Sequence, residues 1–347
     1  MKKFLLLTAI AMLAAVFLIS GCHKQGDKGQ EAAPLLHCPL DNAVIEEMPI
    51  RAVVVTIDNA PKARPQSGLM DADLLYELPA EGGISRYVAV FYHGSSDKIG
   101  PVRSARPYLV DIAKEWSAVY VHVGGSNDAL SYLSTGSTPY INEFSFGSYF
   151  WRDNARKAPH NLYTSSEKLW QAIEKEGWAG REKITAWPFL ADGDTQLAVM
   201  QAKADAEGNT AAMPLTDAIK IDYAAAKNTY RYDAATGLYL REIGGQPQLD
   251  AESGQQLAVA NVLVQFVSSK FLDDAGRLSI DMVGEGEAWL FSGGAVQKGY
   301  WSRDSVNSRT VFYDDDGHEW KLASGKTWIQ VVDQTVNISY TDSNGVI

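Results

Sequence analysis

The run Arg51-Ala-Val-Val-Val-Thr-Ile57 is apolar and β-branched without alternation, and it stops abruptly at Asp58-Asn59. A strand with one wet face alternates polar and apolar residues. A continuous run must be covered on both faces, which calls for a layered fold. The pattern around it supports that. Leu74-Leu75-Tyr76-Glu77 and Ser85-Arg86-Tyr87-Val88-Ala89-Val90-Phe91-Tyr92 read as strands joined through the turn-like Glu81-Gly82-Gly83. Ser104–Trp116 reads as a helix, with Tyr108, Ile112 and Trp116 at helical spacing, and Ala118–Val123 as a strand broken by Gly124-Gly125-Ser126-Asn127-Asp128. A second helix over Ser165–Glu176 starts at the capping box Thr164-Ser165-Ser166-Glu167. Residues 44–190 are therefore expected to form an α/β layered sandwich domain.

Residues 191–216 are polar and rich in Ala, Asp, Gln and Gly, the composition of a linker or loop. Beyond them, Asn228–Arg241 forms two alternating runs about an Asp/Gly turn, a hairpin signature. Short runs follow at 259–267, 278–283, 288–291, 298–301, 310–313, 318–322 and 327–332, separated by Gly or Asp clusters. Residues 217–335 are expected to form a β-rich antiparallel domain, a small barrel or sandwich.

The N-terminus carries an address. Met1-Lys2-Lys3 precedes the apolar run Phe4–Ile19, which is shorter than the about 20 residues of a spanning helix. It closes on Leu18-Ile19-Ser20-Gly21-Cys22, which resembles the lipobox of bacterial lipoproteins, where the cysteine is lipidated and the chain is cut before it. The expectation is a signal peptide at 1–21, a lipid on Cys22, a tether at 22–43, and an extracytoplasmic body anchored to the cell membrane. The whole chain has a net charge of −11, and loss of Lys2 and Lys3 with the signal peptide leaves the body more acidic still. Anionic headgroups repel it, so acyl chains must hold it, at about 0.8 kcal/mol per buried CH₂. The same charge argues against nucleic acid as a partner. Once Cys22 is lipidated, Cys38 is the one thiol left, and no intramolecular disulfide can form. His37-Cys38 lacks partners for a metal and reads as a bystander in the tether. No metal and no cofactor is expected.

Known catalytic patterns fail one by one. Ser324-Gly325-Lys326-Thr327 resembles the end of a phosphate loop, but Trp320 stands where that loop needs glycine. Ser165-x-x-Lys168 is explained by the helix cap and has no companion motifs, and Asp314-Asp315-Asp316-Gly317 lacks the spacing of a calcium loop. No catalytic residue is assigned. What remains is a gathering of polar residues at the expected strand ends: Arg64 and Gln66, Glu77, Glu81 and Arg86, Arg103 and Arg106, Ser126, His160 and Asn161. Strand ends of an α/β sheet converge on one edge, so these groups are candidates for a shared cleft. Arg103 and Arg106 flank a helix start, where free N–H groups favour an anion, and a guanidinium binds carboxylate or phosphate with two parallel bonds.

At these residues the sequence resembles a known family. Ala63-Arg64-Pro65-Gln66-Ser67-Gly68-Leu69, Glu81-Gly82-Gly83-Ile84-Ser85-Arg86, Ile99-Gly100-Pro101-Val102-Arg103-Ser104-Ala105-Arg106 and Ala158-Pro159-His160-Asn161-Leu162-Tyr163-Thr164-Ser165 are similar to the YerB-like lipoprotein family, as is the tail Gly325–Val331. The resemblance spans about 45–335. It implies an envelope lipoprotein with a β/β/α-like sandwich first and a β-rich second domain, and it carries over no reaction. The expected function is a non-enzymatic binding protein whose arginine-rich cleft holds a wall polymer or peptide. Two alternatives stay open. One is an envelope scaffold that recruits a protein through Trp289, Tyr300, Trp301, Trp320 and Trp328. The other is a cell-wall hydrolase or transferase using Glu77 or Glu81 with His160.

Overall fold

The computed structural model describes residues 35–346 apart from 181, 183, 207, 209–214, 275, 343 and 344. The expected signal peptide, lipidated Cys22 and most of the tether lie outside the described residues. The unbroken apolar run becomes strand β1 (Val53–Asp58), buried along its whole length. Strands β2 (Leu74–Pro79), β3 (Ser85–Phe91), β4 (Val119–His122) and β5 (Tyr140–Asn142) join it. Between and after them come helices α1 (Pro107–Glu115), α2 (Asn127–Ser134) and α3 (Ser166–Lys175). Each helix starts where local chemistry directs it. Pro107 opens α1 at the position where its missing N–H costs nothing, and the Ser126 and Ser165 side chains accept from Ala129 N and Lys168 N.

Within the stretch expected as a linker lies helix α4 (Gln196–Ala206). Its residues are good helix formers, but only Gln196 is buried, so no apolar stripe announces it. The later strands are β6 (Thr216–Tyr223), β7 (Ala226–Asp233), β8 (Leu238–Ile243), β9 (Asn261–Phe266), β10 (Gly284–Ser292), β11 (Ala295–Arg303), β12 (Val311–Asp314), β13 (Thr327–Val332) and β14 (Asn337–Asp342). The expected hairpin is β7 paired with β8. Residues 318–322 form only isolated bridges instead of a strand, through Glu319 and Leu322.

One ten-stranded sheet runs in the order β12-β11-β10-β9-β13-β2-β3-β1-β4-β5. It is mixed, which corrects the expectation of a purely antiparallel C-terminal part. β13 lies parallel to β9 on one side and to β2 on the other, with Gln330 opposite Glu77. The reason is burial: β13 is covered on both faces, the situation in which central parallel strands occur. A second sheet, built on β8-β7-β6-β14, is antiparallel throughout.

Alternation along each strand divides the core. Val54, Tyr76, Val88, Tyr120 and Ile329 share one cluster with α1, Trp116, Trp301 and Trp320. Val53, Val55, Ile57, Tyr87, Val121 and Trp328 share the other with α3 and the second sheet, through Ile219, Ile221, Tyr230 and Tyr239. Trp301, Trp320 and Trp328 are thus core residues, while Tyr300 is 38% exposed. Residues 35–43 are more ordered than a tether: Leu36–His37 pairs with Val44–Ile45, and Cys38 and Leu40 are buried. No helix among the described residues is long and apolar enough to cross a membrane.

Since β13 sits between strands from both halves, the two segments are expected to fold as one cooperative unit. Denaturant unfolding of the whole chain should give a single transition by fluorescence and circular dichroism. Residues 217–335 expressed alone should lack a native near-ultraviolet spectrum; a native spectrum from that fragment contradicts the coupling.

Candidate functional site

Three loops are stitched together beyond the end of β1. Asp58 N donates to Pro101 O (2.8 Å), Arg103 N to Thr56 O (2.9 Å), Ser67 N to Gly100 O (2.9 Å) and Val102 N to Leu162 O (2.7 Å). These backbone bonds bring residues 58–67, 99–106 and 153–164 to one place. There Asp58, fully buried, meets three cationic or basic groups. Its Oδ1 takes Arg86 Nη1 at 2.7 Å, and its Oδ2 lies 3.0 Å from Arg103 Nε and 2.7 Å from His160 Nδ1. Burial pushes the carboxyl up, but Arg86, the Ala60 N–H, Arg103 and His160 outweigh it and hold the group below its ordinary value.

The other expected residues separate into distinct roles. Arg106 pairs with Glu81, and the pair's charges reach Arg86. Arg64 donates to Asn59 Oδ1 and O, both at 2.9 Å, and Gln66 Nε2 to Asp58 O (2.9 Å) and Asn59 Oδ1 (3.1 Å). Ser126 is occupied as the α2 cap. Asn161 is buried: its Oδ1 accepts from Arg152 (3.1 Å), and its Nδ2 donates to Asp153 O and Arg156 O.

Glu77 belongs elsewhere. It is fully buried, 2.6 Å from Arg241 Nη2, and it accepts from Ser85, Asn228 (3.0 Å) and Gln330 (3.0 Å). Arg241 packs over Trp328 at 4.1 Å and donates to Gln248 Oε1 (2.6 Å) and the Tyr230 hydroxyl. Glu77 thus joins the two halves of the chain in the interior. Arg241 was missed from the sequence, although it stands two residues from the buried Tyr239 on the same strand face, the position where an ionisable group must find a buried partner.

Arg103 also faces outward. With Ser104, Gly124, Gly125, Arg152 and Pro159 it lines a cavity of about 350 Å³. Its Nε has no hydrogen-bond partner of good geometry despite the short distance to Asp58. Arg152 is exposed and stands 3.6 Å from Glu143. The arrangement can hold an oxyanion at the cavity wall, and through Asp58 and His160 it can hold or move a proton.

The class of protein can now be stated. Residues 41–179 match the family described as Protein of unknown function (DUF3048) N-terminal domain, and residues 219–329 match its C-terminal domain. The chain belongs to this family. It is 33% identical over 353 residues, covering 100% of each chain, to YerB of Bacillus subtilis (strain 168), a protein provisionally named as a lipoprotein. It also matches the crystal structure of YerB protein from Bacillus subtilis with a TM-score of 0.75 and 32% identity, covering 88% of this chain and 99% of that one. The resemblance seen in the loop motifs is thereby borne out.

Beside the site, His122 is buried with Nδ1 on Gly124 O at 2.7 Å, and burial pulls its pKa from 6.5 down to about 4. The unfolded chain therefore binds a proton here between those values while the folded chain does not, so stability falls as pH drops from 6.5 to about 4. The loss is on the order of 3 kcal/mol. Thermal melts across this window should show a shallower slope for His122→Asn than for wild type; equal slopes would remove His122 as the cause.

Proposed function

We propose that the protein is an extracytoplasmic, lipid-anchored binding protein that takes an anionic group beside Arg103. The group is a wall-polymer phosphate or a peptide carboxylate. In this reading residues 1–21 are a signal peptide, Cys22 carries the lipid and the following residues tether the body to the membrane. The lipoprotein name of the Bacillus relative supports the anchor.

One observation carries the ligand. Two guanidiniums and an imidazole crowd a single carboxylate, Asp58, with none farther than 3.0 Å. One negative charge offsets one guanidinium, so positive charge is left over at Arg103 on the cavity wall, where Arg152, 3.6 Å from Glu143, adds a second guanidinium. A planar fork there suits an oxyanion better than a lysine would. Arg64, Gln66, Arg86, Arg106, His160 and Asn161 support this wall, and Glu81 holds Arg106 in place. Glu77 and Ser126 are committed to internal contacts and are left out of the ligand shell.

Calorimetry at low salt with inorganic phosphate, wall-polymer fragments and short wall peptides tests this. A hydrogen bond to a charged group contributes about 1.5–3 kcal/mol, so Arg103→Ala and Arg152→Ala should each weaken binding about ten- to hundredfold. Equal weak binding by wild type and both variants refutes the site.

A second reading is favoured by one contact. Asp58 Oδ2 on His160 Nδ1 orients the imidazole and leaves Nε2 as the atom that could exchange a proton with a substrate. Acid–base chemistry would then use Asp58 with His160 in place of Glu77 or Glu81. Turnover of wall fragments by wild type that disappears in His160→Ala would favour it, and no turnover by wild type removes it.

A further inference from the structure

The first described hairpin turns through Asn42, whose φ is 62°, and places Cys38 and Asp41 beside His93, which follows β3. Cys38 is 1% exposed, Asp41 5% and Asp73 1%. His93 Nε2 lies 3.0 Å from Asp41 Oδ2 and 2.8 Å from Asp73 Oδ1, and the donor atoms of Cys38, Asp41 and His93 lie within 4.8 Å of one another. A ring nitrogen carries at most one hydrogen, but Gly94 N also donates to Asp73 Oδ1 (3.1 Å) and a thiol carries its own hydrogen. What points to a cation is that thiol, carboxylate and imidazole, all metal-ligating groups, converge within 4.8 Å of one another.

We infer that Cys38, Asp41 and His93 bind a divalent transition-metal ion, zinc by the character of the donors, with Asp73 beside the same ring nitrogen. Thiolate, imidazole and carboxylate together are a zinc set. At zinc–ligand distances of about 2.0–2.3 Å, neighbouring tetrahedral donors stand about 3.3–3.7 Å apart. His93 and Asp41 therefore need to part by only about half an ångström.

The surroundings are built as an outer shell would be. Leu40 N donates to Cys38 Sγ (3.4 Å) and Ala43 N to Asp41 Oδ1 (3.1 Å), while His93 N and Gly94 N both donate to Asp73 Oδ2 (3.1 Å). Gly94 is needed for this closeness, since a Cβ there would meet Asp71 O at 2.0 Å. Lys326 also sits in the field of Asp41 and Asp73, so the ion and one ammonium would face a thiolate and two carboxylates. An entry path exists too: His93 lines a cavity of about 490 Å³ rimmed by Glu46, Glu47 and Trp170.

The test uses the full-length lipoprotein in detergent, stripped with a chelator. It is titrated with Zn²⁺ against a chromophoric competitor, and with Co²⁺ by absorbance. The expected result is one zinc per chain, with a cobalt spectrum showing tetrahedral d–d bands and a thiolate charge-transfer band. Cys38→Ser should abolish the charge-transfer band. It and His93→Gln should each weaken zinc at least about tenfold, the loss that even an outer-shell partner causes. Circular dichroism verifies that the variants fold. Wild type that takes up no stoichiometric zinc, or whose cobalt spectrum lacks the charge-transfer band, overturns the inference. So does zinc affinity unchanged in both folded variants. The decision rests on wild type even where a variant does not fold.

Discussion

Glu77 and Arg241 meet at 2.6 Å with the carboxylate fully buried and the guanidinium equally so. Taking two charges out of water costs several kcal/mol per ion unless further bonds complete their shells. Here Ser85, Asn228 and Gln330 complete the carboxylate, and Gln248, Tyr230 and the Trp328 ring surround the guanidinium. These groups come from β2, β3, β7, β8, β13 and the chain after β8. Such a network tolerates one arrangement of those strands, because any other would strand a charge in the interior. It therefore fixes where β13 lies, and β13 carries the pairing between the halves.

A second acid uses the same physics to a different end. Asp58 lies at the rim of the sheet, and its partners are Arg86, Arg103 and His160. Glu77 is enclosed by donors that cancel it, whereas Asp58 is outnumbered by its partners, one of which, Arg103, lines a cavity. The first arrangement specifies structure. The second keeps guanidiniums close together despite their mutual repulsion, as an anion-binding wall requires. The net charge of −11 conceals this local reversal.

Much of the fold was legible because it is written locally. β1, β3, α1, α3 and the β7–β8 hairpin follow from periodicity, caps and turn residues at short range. The parallel placement of β13 was not legible, since nothing in Thr327–Val332 names its neighbours, and its burial fits several sheets equally well. Backbone bonds bring together the loops that carry Arg64, Gln66, Arg103 and His160, whereas Glu77 lies in the interior and Ser126 caps α2. The partners did not follow from proximity in the sequence. Glu77 takes Arg241 across 164 positions, and Arg86 takes Asp58. Cys38 looked isolated for the same reason, because His93 and Asp73 reach it only through the fold.

The position of β13 also bears on time. A chain made or threaded from its N-terminus presents Leu74–Pro79 long before its neighbour exists, for Gln330 and Glu77 are separated by 253 positions. Until then one edge of β2 offers open hydrogen-bonding groups to any passing strand, and closure must await a contact of very high sequence separation. Biosynthesis thus leaves this protein exposed to mispairing until Thr327–Val332 arrive, a period in which a holding chaperone at the site of emergence would matter more than for a fold built from neighbouring hairpins.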